Sequence, residues 1–279
     1  MTRFFVILCA CTLLPTLGFS QFSAHVDASY GLPLGAQQIG TIVERNPNVF
    51  GYRFDSYGAG IQAGARLGYH WNMLQGAEIG IRYQGSTIQN NSFTDTTGVQ
   101  TGTNQSQQIQ LTPTLLFGRI DEGLRPFARI GLIIPIRTRF SENFEFDNTF
   151  NIPGQPSVTT ELSQTRDYQL TRSLGAVASL GIRYRTGSIS ITVEAYAQTL
   201  NLRPVRNQLV RYVLNGEDLL AQQDLPTILV EQEYFEVIDE NNNGFGPNSD
   251  PDQPGSQLMF VLPYSTYGLR VGIGTMLGN

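Results

Sequence analysis

The sequence predicts an all-β fold: a membrane-spanning antiparallel up-and-down β-barrel of eight strands with long extracellular loops. Three observations predict it. Apolar and polar residues alternate with period 2 again and again. The apolar face of the strands carries no charge in their central parts, while the other face carries many. Short connections alternate with long ones. The pattern is plainest in SYGAGIQAGARLGYHW, residues 56–71. There Tyr57, Ala59, Ile61, Ala63, Ala65, Leu67, Tyr69 and Trp71 alternate with Ser56, Gly58, Gly60, Gln62, Gly64, Arg66, Gly68 and His70.

The chain opens on Met1-Thr2-Arg3 and an apolar run from Phe4 to Leu14, with small residues at Gly18 and Ser20. Residues 1–20 therefore read as a secretory signal peptide cut after Ser20, and 21–279 as one barrel domain. Both cysteines, Cys9 and Cys11, fall in that peptide, so the mature chain has no thiol or disulfide chemistry. No later segment approaches the ~20 apolar residues that a membrane helix needs.

The strands follow in order. Phe22, Ala24, Val26, Ala28 and Tyr30 form the apolar set of the first, and 56–71 is the second. Ala77, Ile79, Ile81 and Tyr83 mark the third; Ile109, Leu111, Pro113, Leu115 and Phe117 mark the fourth. Ala128, Ile130, Leu132, Ile134 and Ile136 define the fifth; Leu174, Ala176, Ala178, Leu180, Ile182 and Tyr184 define the sixth. Ile189, Ile191, Val193, Ala195 and Ala197 follow a tight Thr186-Gly187-Ser188 hairpin, and Tyr267, Leu269, Val271 and Ile273 close the series. Pro113 and Pro135 fall within strands, where a ladder bond is lost, so local bulges are expected.

The charges decide which face meets water. Asp27, Arg66, Glu78, Arg82, Arg129, Arg137, Arg183, Glu194 and Arg270 share the polar face, which is rich in glycine and small residues as a crowded interior requires. The wide apolar face then lies against lipid, and closure pairs every backbone group. Aromatics agree: Phe22, Trp71, Phe117 and Tyr184 fall at one end of that face, and Tyr30, Tyr57, Tyr83, Phe140 and Tyr267 toward the other. Rings of this kind favour the two membrane interfaces.

Connections at 72–75, 119–124 and 186–188 are short; those at 33–55, 86–106, 141–167 and 203–256 are long. Long loops belong outside and short turns in the periplasm of a Gram-negative cell. In this architecture, and in glycine-rich strands such as GAGIQAGARLGYHW and YGLRVGIGTML, the chain resembles small eight-stranded outer-membrane barrels of the OmpA/OmpX type, particularly the porin-like barrels of Bacteroidetes. The resemblance implies an outer-membrane location, with membrane lipid and lipopolysaccharide as surroundings. One departure stands out: such barrels often end on an aromatic residue, and this chain ends Met276-Leu277-Gly278-Asn279.

Eight strands enclose a lumen just wide enough for side chains to fill. Asp27, Arg66, Glu78, Arg82, Arg129, Arg183, Glu194 and Arg270 are therefore expected to form a barrel-interior charge network that closes the lumen. All basic residues are arginine, whose fork suits such pairing. Catalysis is not expected: the two histidines, His25 and His70, sit at periplasmic strand ends, far from serines such as Ser86, Ser92 and Ser106 near the outer rim. No nucleic-acid partner is expected. The favoured role is structural or surface-binding, toward an extracellular ligand or surface protein; the alternative is a narrow passive pore for small solutes.

Acidity is concentrated in 203–256, with ten acidic residues against three arginines, −7 of a mature-chain total of −6. Within it, 227–238 reads as a strand of a hairpin standing above the membrane against 257–264, with a ten-stranded barrel as the alternative. The hairpin tip is DENNNGFGPNSD, residues 239–250. Asp239, Asn241 and Asn243, the backbone carbonyl of Phe245, and Asp250 stand where a calcium loop places its oxygens, with Gly244 at the turn. Asp250 replaces the bidentate glutamate and Pro247 takes the ninth position, so a polar turn rich in Asn, Gly and Pro is the competing reading.

Overall fold

The computed structural model describes residues 21–34, 38–44, 49–86, 88–94, 98–150, 158–222, 225–239 and 250–277. The expected signal peptide lies outside them. In chain order the strands are β1 (Gln21–Pro33), β2 (Gln38–Glu44), β3 (Val49–Phe54), β4 (Gly60–His70), β5 (Gln75–Ser86) and β6 (Gln89–Thr94). Then come β7 (Gly98–Gly118), β8 (Gly123–Phe150), β9 (Val158–Leu170), β10 (Gly175–Thr186), β11 (Ile189–Thr199) and β12 (Asn201–Leu202). The last are β13 (Pro204–Leu214), β14 (Glu217–Asp218), β15 (Glu231–Phe235), β16 (Gly255–Leu258), β17 (Leu262–Pro263) and β18 (Thr266–Leu277). Two four-residue helices, Leu219–Gln222 and Thr227–Val230, complete the described elements.

The fold is all-β, dominated by antiparallel pairing. Eight strands are hydrogen-bonded on both sides in one succession: β1 to β4, β5, β7, β8, β10, β11 and β18, and β18 back to β1. Aliphatic and aromatic residues fill their exposed face, and small or polar residues most of their buried face. In β11 the alternation is strict, with Ile189, Ile191 and Val193 exposed and Ser190, Thr192 and Glu194 buried. The turns follow from local chemistry. Asn72 Oδ1 accepts the N–H groups of Leu74 and Gln75 at 2.8 and 2.7 Å, closing the β4–β5 connection. Gly187, at φ 56°, opens the two-residue turn between β10 and β11.

Three expectations need correction here. The 56–71 alternation is not one strand: β4 starts at Gly60, and Tyr57 and Ala59 are buried in a turn. The expected bulge at Pro135 is present, but its reach was not foreseen. Ile109 pairs with Arg137 and Gln110 with Pro135, so Ile136 is an extra residue that inverts the phase of β8. Arg137 consequently faces outward, and Phe140, expected outside, is buried at 3 % exposure. At Pro113 the β7–β8 ladder lapses between Leu111–Ile134 and Thr114–Gly131, yet the register is unchanged.

The long connections are not loops either. β7 and β8 continue past the eight-stranded succession and carry a second tier of sheet. β6 and then the β2–β3 pair extend it on one side; β9, β13, β15 and β16 extend it on the other. Stretches such as Gly98–Gln108 are rich in Gln, Thr and Asn on both faces, so they lack the hydrophobic period that reveals a half-buried strand. Residues 227–238 also differ from expectation: the segment begins as a helix, and β15 pairs antiparallel with β13 and parallel with β16. β13 and β15 join the upper tier through β9 and do not enter the eight-stranded succession.

Candidate functional site: a buried charge network under an aromatic cap

Alternation turns every second residue of the eight strands inward, and register decides which charges meet. Glu194 faces Arg270 across the β11–β18 ladder. Asp27 pairs with Gly64 on one side and Gly272 on the other, and both glycines leave space beside its carboxylate. Into that space come the Arg66 Nε at 3.2 Å, the Arg82 Nη2 at 3.1 Å and the Arg270 Nε at 3.4 Å. Glu194 gathers three more guanidinium contacts, from Arg66 Nη1 at 3.2 Å, Arg270 Nη1 at 2.9 Å and Arg129 Nη1 at 2.5 Å. Ser179 Oγ donates to the same carboxylate at 2.8 Å. Arg129 also donates to both oxygens of Glu78, at 2.6 and 3.3 Å.

Seven of the eight residues expected in the network are thus joined in one cluster. Arg183 is buried beside it but has no carboxylate within ion-pair distance among the described residues; its guanidinium lies 5.4 Å from the Phe127 ring centre. Arg129 lies closer over the same ring, at 4.3 Å, and Arg270 lies 4.4 Å from the Tyr196 ring. Five buried arginines (66, 82, 129, 183, 270) face three buried carboxylates (27, 78, 194), an excess of two positive charges. The gap left between Arg66, Arg82, Arg129, Arg270 and their neighbours is about 10 Å³, roughly the room of one water molecule.

The network is layered. Nearer the short turns lie His25 and His70, both buried, with Ser23 Oγ 3.4 Å from His70 Nε2. On the other side lies a glutamine layer, in which Gln84 Oε1 accepts from Gln110 at 2.7 Å and Gln198 at 3.1 Å. Above it sits a cluster of buried apolar and aromatic residues, including Tyr57, Phe140, Tyr168, Leu202, Tyr234 and Tyr264. Gln84 Nε2 donates to the Gly58 carbonyl at 2.7 Å, and Tyr264 OH lies 2.6 Å from Ser106 Oγ. A Cβ at Gly58 would strike the Tyr264 carbonyl, so only glycine permits this approach. Burial holds the Tyr264 phenol well above the ordinary tyrosine range; burial and the Glu142 carboxylate do the same for Tyr168, whose OH donates to Glu142 at 2.6 Å.

This cap was missed in the sequence, although two apolar runs are its signal: Met259 to Leu262, read only as part of an outer hairpin strand, and Leu200-Asn201-Leu202, just past the expected seventh strand. Asn215-Gly216, both at positive φ, is a second overlooked signal; it makes the β13–β14 hairpin turn.

Of the candidate calcium ligands, Asn241, Asn243 and Phe245 lie outside the described residues, while Asp239 and Asp250 are described. Asp250 closes its own turn: Oδ1 accepts the Asp252 N–H at 2.9 Å and its backbone carbonyl accepts the Gln253 N–H at 3.1 Å. Among the described residues, no group of three or more His, Cys, Asp or Glu is placed to hold a metal ion. Ser86 and Ser106 lie at the capped end, with Ser86 Oγ accepting the Ser106 N–H at 2.7 Å, and the two histidines lie toward the opposite strand ends.

Compared with family models and with curated proteins, the chain matches none.

Proposed function

We propose that the eight-stranded succession is a closed barrel spanning the outer membrane of a Gram-negative bacterium. Residues 1–20 serve as its export signal, and the upper tier stands outside the cell. One observation carries this reading: the fold is inverted relative to a water-soluble one. Leu180 at 70 %, Ile61 at 67 % and Leu269 at 66 % are exposed, while Arg66 at 4 % and Glu194 at 1 % are buried. An apolar band this extensive needs a non-aqueous partner, and a lipid bilayer surrounds all strands alike.

The role proposed is structural or surface-binding. A guanidinium–carboxylate plug, a glutamine layer and an aromatic cap stand in series among the described residues, which argues against the alternative of a passive pore. The elaborated upper tier is where an extracellular ligand or surface protein would be met. Planar-bilayer recording of the refolded protein tests the assignment. The expected result is insertion without stable conductance steps; steps of large conductance would refute the closed interior.

A further inference from the structure

The upper tier is curled, and its strands β8, β9, β15 and β16 line a cleft of about 290 Å³. That is close to the lower end of the roughly 300–1,000 Å³ range of small-molecule sites. Two chemistries line it. Tyr168, Tyr234 and Phe260 form an aromatic wall, with Phe260 set edge-to-face against the other two at 6.4 and 5.6 Å between centroids. Phe260 is 41 % exposed, so part of its ring remains open to an incoming group. Planar polar ends line it as well: Gln164, Gln232, Gln257, Glu142 and Arg166.

The state of those polar groups selects the ligand. Glu142 already accepts from the Tyr168 hydroxyl. Arg166 is spent on the Asn207 side chain at 3.0 Å and the Leu229 carbonyl at 3.1 Å. The two charges are opposite in sign and stand directly across the β8–β9 ladder from each other, so the cleft offers an ionic ligand no net charge. Gln232 keeps its amide N–H₂ while its oxygen accepts from Asn207 at 3.0 Å. Gln164 and Gln257 make no side-chain hydrogen bond to any described residue. What remains open is a set of neutral amides, each able to donate, beside aromatic rings. A purely apolar ligand would strand the amides without partners, at a cost of about 1–3 kcal/mol for each buried group. A pyranose satisfies both walls, because its hydroxyls donate and accept while the C–H groups of one ring face pack on aromatic carbon.

We infer that this cleft is a binding site for a neutral pyranose unit of an extracellular glycan. The inference rests on the surface-binding reading above and names its ligand class. It is tested by saturation-transfer NMR on the full chain, refolded in an amine-oxide detergent that carries no sugar headgroup. The probes are the methyl glycosides of glucose, galactose and mannose, with methyl glucuronate as a charged comparison. At least one neutral glycoside should receive transfer, on the protons of one ring face. Phe260→Ala should weaken its binding about tenfold or more, through loss of the stacked ring, and Phe260→Trp should preserve it. Because Phe260 is part-exposed, folding of both variants can be checked by circular dichroism and by thermal unfolding. No transfer to any neutral glycoside, unchanged transfer in a folded Phe260→Ala, or stronger transfer to the glucuronate would each overturn the site. A labelled extended peptide of alternating threonine and valine, offered in parallel, separates the two levels. Capture of the peptide without sugar transfer refutes the sugar site and leaves surface binding standing; large conductance with neither ligand bound refutes both.

Discussion

Glu194 holds the network together more than any other carboxylate, and removing its charge is a quantitative test of the interior. In Glu194→Gln the shape survives. One amide oxygen can still accept from Arg66 and Arg270, whose nitrogens lie 3.2 and 2.9 Å from Oε1. The other position becomes an N–H₂ facing the Arg129 Nη1, which approached the lost oxygen at 2.5 Å, so donor meets donor. The excess of buried positive charge rises from two to three, since five arginines then face two carboxylates. Breaking a buried ion pair from one side costs about 3–5 kcal/mol. The retained contacts place this substitution at the lower end, near 3 kcal/mol, more than a hundredfold in the unfolding equilibrium. Arg183→Met is the companion. It removes a buried guanidinium that has no ion-pair partner among the described residues and should be neutral or stabilising, by the same desolvation logic with the opposite sign. The assay is urea unfolding of both variants in lipid vesicles, followed by tryptophan and tyrosine fluorescence. A Glu194→Gln protein as stable as the wild type, or an Arg183→Met protein as damaged as Glu194→Gln, would refute the electrostatic account of the interior.

Further outcomes follow from other parts of the molecule. Ala63→Arg and Ile79→Arg, on the exposed apolar face, should each impair assembly into vesicles by roughly 2–4 kcal/mol near the bilayer midplane; wild-type assembly of both would overturn the face assignment. Tyr168 and Tyr264, their phenols raised by burial, favour the neutral form in the fold. Their contribution is complete below the ordinary tyrosine pKa of about 10 and is lost as pH rises above it. An alkaline titration should therefore show late phenolate absorbance accompanied by loosening of the cap, with Tyr264→Phe removing part of the late signal. Asp250 accepts a backbone N–H within its own turn, as the polar-turn reading of 239–250 expects; on that reading calcium leaves the protease sensitivity of the segment unchanged, and protection by calcium that disappears in Asp239→Ala would favour the calcium loop instead.

The eight strands were legible because each has one apolar and one polar side, and period 2 in hydropathy survives wherever the two faces meet different surroundings. Burial of Asp27, Glu78, Glu194 and their arginine neighbours follows from that parity alone. Which arginine meets which carboxylate was not legible, because it depends on stagger between strands that are distant in sequence; Arg66 meets Glu194 across 128 residues. The upper tier was illegible for a different reason. The stretch Gln100–Gln108 has polar residues at nearly every position and so shows no hydrophobic period. The one extra residue at Ile136 inverted every inside–outside assignment after it in β8, which is why Phe140 was placed on the wrong side. Proline made a bulge foreseeable at that strand, but not the count of residues it inserted.

β8 is a single strand of 28 residues, and β7 beside it has 21. At roughly 3.3 Å per residue, the 13 residues of β8 beyond Arg137 extend some 40 Å from the bulge. Their ladder to β7 resumes at once from Arg137 and runs to Asn148. The two strands therefore act as a mast: bending it means shearing a continuous hydrogen-bonded ribbon instead of swinging a hinge. A pull applied at the far end of this ribbon would load the two strands end to end.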